Sequence, residues 1–352
     1  MDIPESAYYN AVAITLGGDY RRIKKARGVF ADWRGAYHGL RDSGLFETPS
    51  VPDPEEAFDL MRRAEIQLLL QEDAAFPPYL REIPHTPFGI YVRGNIKEET
   101  PRISVVGTRR ATAEGKLIAS QFARELCAAG FTIVSGLAFG IDAAAHTGAL
   151  AAIEAGAGAN TIAVLAGGLN AIYPGTNERL ARKILASGGA IVSEYPLGEP
   201  PYPGRFIERN RMVSGLSQGV LIVEAPERSG ALATARFAFE QSRDLFVVPG
   251  PITHSNFKGS HALIRQGAEL ATCAQDILDA YGITRKEAHA AAAQGASPEE
   301  TLILSALRNS RRPLSVDKII EAAKLEPRIV NQNLSFLLMK RLIKESGTGY
   351  TI

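Results

Sequence analysis

One stretch, residues 101–146, restricts what this 352-residue chain can fold into more than any other. It reads PRISVVGTRRATAEGKLIASQFARELCAAGFTIVSGLAFGIDAAAH, with β-branched runs at 102–106 and 131–134 flanking a helical pattern at 113–129. Ile118, Phe122 and Leu126 recur every four residues and so share one helix face. Gly130 follows as the residue that stops the helix in a left-handed conformation. Two strands joined by a single crossover helix pair in parallel, with a right-handed connection. Ligands of such sheets collect beyond the carboxyl ends of the strands. Those ends are Gly107-Thr108-Arg109 and Ser135-Gly136-Leu137-Ala138-Phe139-Gly140.

The same alternation continues outside the stretch. Further strands are expected at 66–70, 90–92, 161–165, 190–193, 220–224 and 246–248, most of them separated by helical patterns. Their unbroken apolar character means burial on both faces, and the fold class is α/β: an extended Rossmann-like, doubly wound sheet spanning residues 63–283. Residues 1–62 read as short helices broken by glycines and prolines, a small N-terminal helical domain of SAM-like or helical-hairpin type. Packing or partner contact suits this domain better than DNA, because residues 1–60 hold 7 basic and 10 acidic groups. Residues 284–296, rich in alanine, form a linker. Residues 297–352 hold three helical patterns and a Gly347-Thr348-Gly349 turn, the outline of a C-terminal winged helix.

Charge argues against a global polyanion field: Lys and Arg number 39 against 38 Asp and Glu, so any nucleic-acid site must be a local patch. The two cysteines, Cys127 and Cys273, lack the spacing of a zinc site or a disulfide framework. With no signal-peptide pattern and no run long enough to span a bilayer, the chain is expected in the cytoplasm and off the membrane.

Several loops suit anions. Gly107, Thr108 and Arg109 precede a helix whose free N–H groups attract negative charge, and Arg109 can close over it. In the second loop Ser135, Gly136 and Gly140 allow close backbone approach, while Asp142 can cap the following helix and His146 packs as a core histidine. A Ser135-Asp142-His146 hydrolase is disfavoured for want of a G-x-S-x-G elbow. Glu194 and Glu224 lack metal-ligand neighbours and read as hydrogen-bonding groups. Arg205, Arg209 and Arg211, around Phe206 and Asn210, interleave cations with an aromatic as strand binders do, although for so short a cluster a solvated helix face with internal ion pairs is the favoured reading. Gly230 opens another helix after a strand, and Lys258 follows the last strand of the series. No catalytic constellation, cofactor motif or metal site is found.

In this order the motifs VGTR, SGLAFGIDAAAH, TIAVLAGGLNAIYP, SEYPLG, ERNRMVSGLS, VEAPERSGALATA, VVPG and LIRQGA, over about residues 66–270, resemble the DNA-processing protein A (DprA/Smf) family. The resemblance implies a non-catalytic single-stranded-DNA-binding protein that protects incoming DNA, loads the RecA recombinase in natural transformation and dimerises through its Rossmann domain. It places Arg109 and the Arg209-Asn210-Arg211 segment in the DNA-binding motifs, with Lys258 on the same basic surface. Ile207-Glu208 stands where the family often has proline before that segment, and Asn170 replaces a frequent aspartate. Two other classes fit the loops: a phosphoribohydrolase-like nucleotide enzyme, whose catalytic glutamate is missing from residues 229–239, and a sensor of a nucleotide-like ligand.

Overall fold

The computed structural model describes residues 3–42, 51–97, 100–283, 298–308, 310, 313–339, 342–346 and 349–351. Its sheet grows outward from β3 (Arg102–Val106), every residue of which is buried. On one side β3 pairs in parallel with β4 (Thr132–Ser135), followed by β5 (Thr161–Leu165) and β6 (Ala190–Ser193). On the other side come β7 (Gly219–Ile222), β8 (Asp244–Val247) and β9 (Glu269–Leu270), also parallel. Two antiparallel strands, β2 (Gly89–Gly94) and β1 (Gln67–Leu70), extend the sheet beyond β6. The order is β1-β2-β6-β5-β4-β3-β7-β8-β9 among the described residues, and it reverses between β3 and β7. That switch point is where a ligand crevice opens in a doubly wound sheet.

Alternation along β3 explains the layering. Ile103 and Val105 face α6 (Ala113–Ala128) and α7 (Ile141–Glu154), packing with Phe122, Leu126 and Ala145. Val106 faces the opposite layer, where α9 (Pro203–Gly215) and α10 (Gly230–Glu240) contribute Met212, Val213, Ala231 and Ala235. Ser104 points the same way and donates its hydroxyl proton to the Val213 carbonyl at 2.7 Å. Phe122 and Leu126 are buried as their spacing predicts, with Ile118 half-buried at the rim of the same face. Gly130, at φ +100°, ends α6 in the conformation expected of it.

The N-terminal helices α1 (Glu5–Thr15), α2 (Tyr20–Val29), α3 (Trp33–Asp42) and α4 (Pro54–Arg63) close the β1-β2-β6 end of the sheet. Tyr9, Val12, Leu16 and Trp33 share one apolar core with Leu68, Tyr91, Leu165 and Ile191. Tyr91 donates from its hydroxyl to Asn10 Oδ1 at 3.0 Å across that core. The remaining helices beside the sheet are the short α5 (Pro78–Arg81), then α8 (Glu178–Ala186), α11 (Lys258–Arg265) and α12 (Ala274–Ala280).

Residues beyond 297 build a separate apolar cluster. Helices α13 (Pro298–Arg308), α14 (Val316–Ala323) and α15 (Pro327–Met339) enclose Ile303, Leu307, Ile319, Val330, Leu334 and Leu337, and a hairpin of β10 (Lys344–Ser346) and β11 (Gly349–Thr351) follows. Of the four residues that the helical spacing puts inside, Val330, Leu334 and Leu337 are buried and Leu338 is only partly so. The expected linker at 284–296 and the Gly347-Thr348 tip lie outside the described residues. No helix among the described residues is long and apolar enough to cross a membrane.

The expected strands lie within two residues of their expected bounds, and β9 has no counterpart among them. β7 stops at Ile222 and leaves Glu224 in a loop, while β9, two exposed residues long, is too short to carry a period-two signal. The crossing of α6 and α7 depends on Gly148, where a Cβ would lie 2.0 Å from the Ser120 carbonyl oxygen. Backbone cannot yield as a flexible side chain can. Gly148→Ala is therefore expected to destabilise the protein by about 1–3 kcal/mol, read as a lower midpoint in urea unfolding with an unchanged slope; an unaltered midpoint would contradict this close packing.

Candidate nucleic-acid interface

At the switch point the loop after β3 turns sharply because Gly107 has no room for a side chain: a Cβ there would lie 2.5 Å from Ile141 Cγ1. Thr108 N donates to the Glu224 carbonyl at 2.7 Å, tying this loop to the one after β7. The buried Glu224 carboxylate accepts from the Thr112 hydroxyl, from Thr112 N at 3.1 Å and from Asn256 Nδ2 at 2.9 Å. One carboxylate thus secures loops that follow three different strands. Among the described residues no group of three or more His, Cys, Asp or Glu is arranged to hold a metal.

Between these loops, α9 and the start of α10 lies a cleft of about 760 Å³. Its walls carry four cations, Arg109, Arg110, Arg209 and Arg228, against the single carboxylate of Asp142. Arg109 is exposed and holds its guanidinium 4.8 Å from the centroid of the Phe206 ring. Tyr173 packs against the same ring at 5.5 Å, tilted by 50°. Tyr173 and Tyr202 also line the cleft, each about half exposed. At the head of α10 the Ser229 hydroxyl caps Ala231 N at 3.2 Å, and Asn210 Nδ2 donates to the Gly230 carbonyl at 3.2 Å. A Cβ on Gly230 would meet nothing within 4 Å, so this helix start is open to the cleft.

The floor is a buried charge. Arg209 donates from Nη1 to the carbonyls of Gly136, at 2.8 Å, and Val164. Burial draws its pKa down to about 10, so it stays protonated near neutral pH. Asp142 accepts from Gly136 N at 3.1 Å and Ala138 N at 3.4 Å. Burial raises the Asp142 pKa, and the Arg209 charge opposes that rise.

The structure brings only some of the expected residues together. Gly107, Thr108, Arg109, Phe206, Arg209, Asn210 and Gly230 line the cleft. Ser135, Gly136 and Gly140 do not. The Ser135 hydroxyl donates to the Val105 carbonyl at 2.7 Å, and the space beside Gly136 is filled by Arg209 and Asp142. Gly140, at φ +79°, lies so close to the loop after β3 that a Cβ would be 2.3 Å from the Thr108 carbonyl. These residues support the floor instead of lining the wall. Lys258, the exposed first residue of α11, is outside the lining.

Arg205, Arg209 and Arg211 form no exposed basic face either; all three are buried. At about 100° per residue, Arg211 projects roughly 200° around α9 from Arg209. There Nη2 meets both Glu194 carboxylate oxygens at 2.5 Å, with Tyr20 5.4 Å away on the N-terminal helices. Arg205 binds the carbonyls of Pro200 and Gly17. Phe257 is buried against His254 and His261 and offers no exposed ring. Asp142 bonds the preceding loop and is not the cap of α7, whose N-cap is Gly140. His146 is a core residue, as its place in the sequence suggests: Nδ1 lies 2.7 Å from Thr161 Oγ1, and burial pushes its pKa down to about 3.

Tyr173, Tyr202 and Arg228 were not singled out as site residues in the sequence. Each sits in a loop beyond a strand end, and that placement was the available signal.

A cationic, aromatic-walled cleft at the switch point of a doubly wound sheet defines a Rossmann-like protein suited to phosphate-bearing ligands. Residues 67–282 match the family model described as DNA recombination-mediator protein A, and the chain belongs to that family. Protein Smf of Escherichia coli is 44% identical over 241 residues, 68% of this chain and 63% of that protein. DNA processing protein DprA of Streptococcus pneumoniae is 39% identical over 207 residues, 58% of this chain and 71% of that one. The chain spans somewhat under two thirds of the length of Escherichia coli Smf. The X-ray structure of DNA processing protein A from Streptococcus pneumoniae matches with a TM-score of 0.63 at 30% identity, covering 79% of this chain and 98% of that one. A structure of the Helicobacter pylori protein, described as giving insight into its single-stranded DNA binding mode, matches with a TM-score of 0.54 at 32% identity, over 62% of this chain and 95% of that one.

Burial separates the arginines energetically. Arg211→Ala leaves Glu194 buried without its partner and is expected to cost about 3–5 kcal/mol. Arg109→Ala, at an exposed position, should change stability by no more than about 0.5 kcal/mol. Urea unfolding of the two variants checks this; equal losses would contradict the assignment of Arg211 to structure and Arg109 to the surface.

Proposed function

We propose that this protein binds single-stranded DNA in the cleft, without chemistry of its own, and delivers the strand to a RecA-type recombinase during DNA processing. The observation that carries the reading is the Arg109–Phe206 pair at the mouth of a four-arginine cleft. A single strand offers phosphates to cations and unpaired bases to an aromatic ring, and the pair supplies both within one nucleotide's reach. Membership in the recombination-mediator family supports the role, and the strand-binding mode described for the Helicobacter pylori relative supports the ligand. A duplex keeps its bases stacked inside and gains nothing from the ring.

Recombinase loading and a homodimer belong to the same proposal. Sedimentation at micromolar concentration tests the dimer, with a monomer as the contrary result. Strand exchange on DNA coated by a single-strand-binding protein tests loading, and no stimulation by this protein would count against it.

The two halves of the pair separate by salt. Affinity for a single strand falls with a slope of about 0.7 per phosphate contact on a logarithmic salt axis. Arg109→Ala should flatten the slope by about that amount. Phe206→Ala should leave the slope unchanged and lower affinity by about 1–3 kcal/mol at every salt concentration. Fluorescence anisotropy with labelled oligothymidylate reads both. Parental slopes and affinities in both folded variants would rule the cleft out as the strand site.

A further inference from the structure

Helix α2 is a charge anomaly. Five of its ten residues, Arg21, Arg22, Lys24, Lys25 and Arg27, are basic and none is acidic. Only two other basic residues, Arg34 and Arg41, occur among residues 1–60, which hold ten acids, so the segment's net negative charge hides a segregated cationic helix. Ile23 and Ala26 bury its inner face, while Arg21, Arg22, Lys24 and Lys25 are exposed. Arg27 is used locally, donating to the Phe30 carbonyl at 2.8 Å and lying 5.6 Å from the Trp33 ring. Among the described residues Arg21, Lys24 and Lys25 carry no salt bridge.

This arrangement opposes the helix's own stability twice. Arg21 and Arg22 place positive charge in the first turn, at the positive end of the helix dipole. Arg21 with Lys24 and Lys25, and Arg22 with Lys25, are like charges three or four residues apart, each pair destabilising by its repulsion. A sequence that breaks local rules without a structural gain points to a ligand.

The helix is also joined to the cleft. Its lead-in is fixed to α9: Gly17 O accepts from Arg205 Nη2, and a Cβ on Gly18 would lie 2.9 Å from Tyr195 Cδ1. The Arg205 guanidinium lies between Tyr195, at 4.4 Å, and Tyr202, at 4.5 Å, and Tyr202 lines the cleft. One buried arginine therefore connects the cleft wall to the segment that starts the basic helix. The nearby acids are engaged, Glu199 with Arg205 and Glu208 with the Tyr195 hydroxyl.

We propose that the exposed face of α2 is a second nucleic-acid contact, holding the sugar-phosphate backbone of the strand that leaves the cleft past Tyr202. The proposal rests on the cleft being the primary strand site. Its chemistry is that of phosphate neutralisation, since the exposed residues Arg21, Lys24 and Lys25 are all cationic, and it lends affinity without sequence preference.

The test compares oligothymidylates of about 4 and about 16 nucleotides, the range that a single binding fold tracks. The variant is the charge reversal Arg21→Glu/Lys24→Glu/Lys25→Glu. On the longer strand its salt slope should fall by about 2, three contacts at about 0.7 each, while its binding of the short strand stays at the parental level. Should the triple variant misfold, Lys24→Gln/Lys25→Gln serves instead, with a slope lower by about 1.4 on the same basis. A folded variant with parental slope and affinity on the longer strand overturns the proposal and leaves an acidic protein surface as the partner for α2. The failure of the cleft reading looks different: the parent would not bind the short strand, and Arg109→Ala would alter neither length.

Discussion

A guanidinium buried beneath the switch point governs this structure. Arg209 is 4% exposed and remains charged, so its cost is tolerable only if its hydrogen bonds are made inside the protein. It makes them to the carbonyls of Gly136 and Val164, at the ends of β4 and β5. α9 is thereby fixed across the strand ends, with Phe206 held against Arg109 and Asn210 bonded to the head of α10. Gly136 has no space for a side chain because Arg209 and Asp142 occupy it. Gly136 thus serves the arginine, and the arginine supports the floor of the cleft.

The opposite side of α9 carries a second buried charge for a different purpose. Arg211 pairs with Glu194 and sits beside Tyr20, while Arg205 reaches Gly17. Three arginines within seven residues thus divide their work: one supports the cleft floor and two join the sheet to the N-terminal helices. The exposed cations lie elsewhere, Arg109, Arg110 and Arg228 on loops and Arg21, Lys24 and Lys25 on α2.

Much of the sheet was legible because its signals are local. The strands at 102–106, 161–165 and 190–193 are continuous apolar runs fully buried between helix layers, and their boundaries follow from composition. The Arg109 loop was legible for the same reason, as a glycine turn between a strand and a helix. What could not be read was depth. Ser135, Gly140 and Arg211 have the residue types of a binding site, and only the packing of α9 against the strand ends shows that they face inward. Tyr173 and Tyr202 are brought to the cleft from loops after β5 and β6 by the order of the sheet, a long-range fact without a local marker. Net charge also hides distribution: ten acids scattered over residues 1–60 stand beside five cations gathered on one helix.

The central claim is that the cleft takes one strand with its bases unpaired. Competition binding measures this most directly, with unlabelled single strands and the matching duplex displacing a labelled oligothymidylate at one fixed salt concentration. Phosphate contacts alone would favour the duplex, which carries one charge per roughly 1.7 Å of its axis against one per 3.4 Å along a single strand. The account predicts displacement by the single strand at least about tenfold more effective than by duplex, a difference of about 1.4 kcal/mol that one stacked base on Phe206 can supply. Equal displacement, or preference for the duplex, would contradict it.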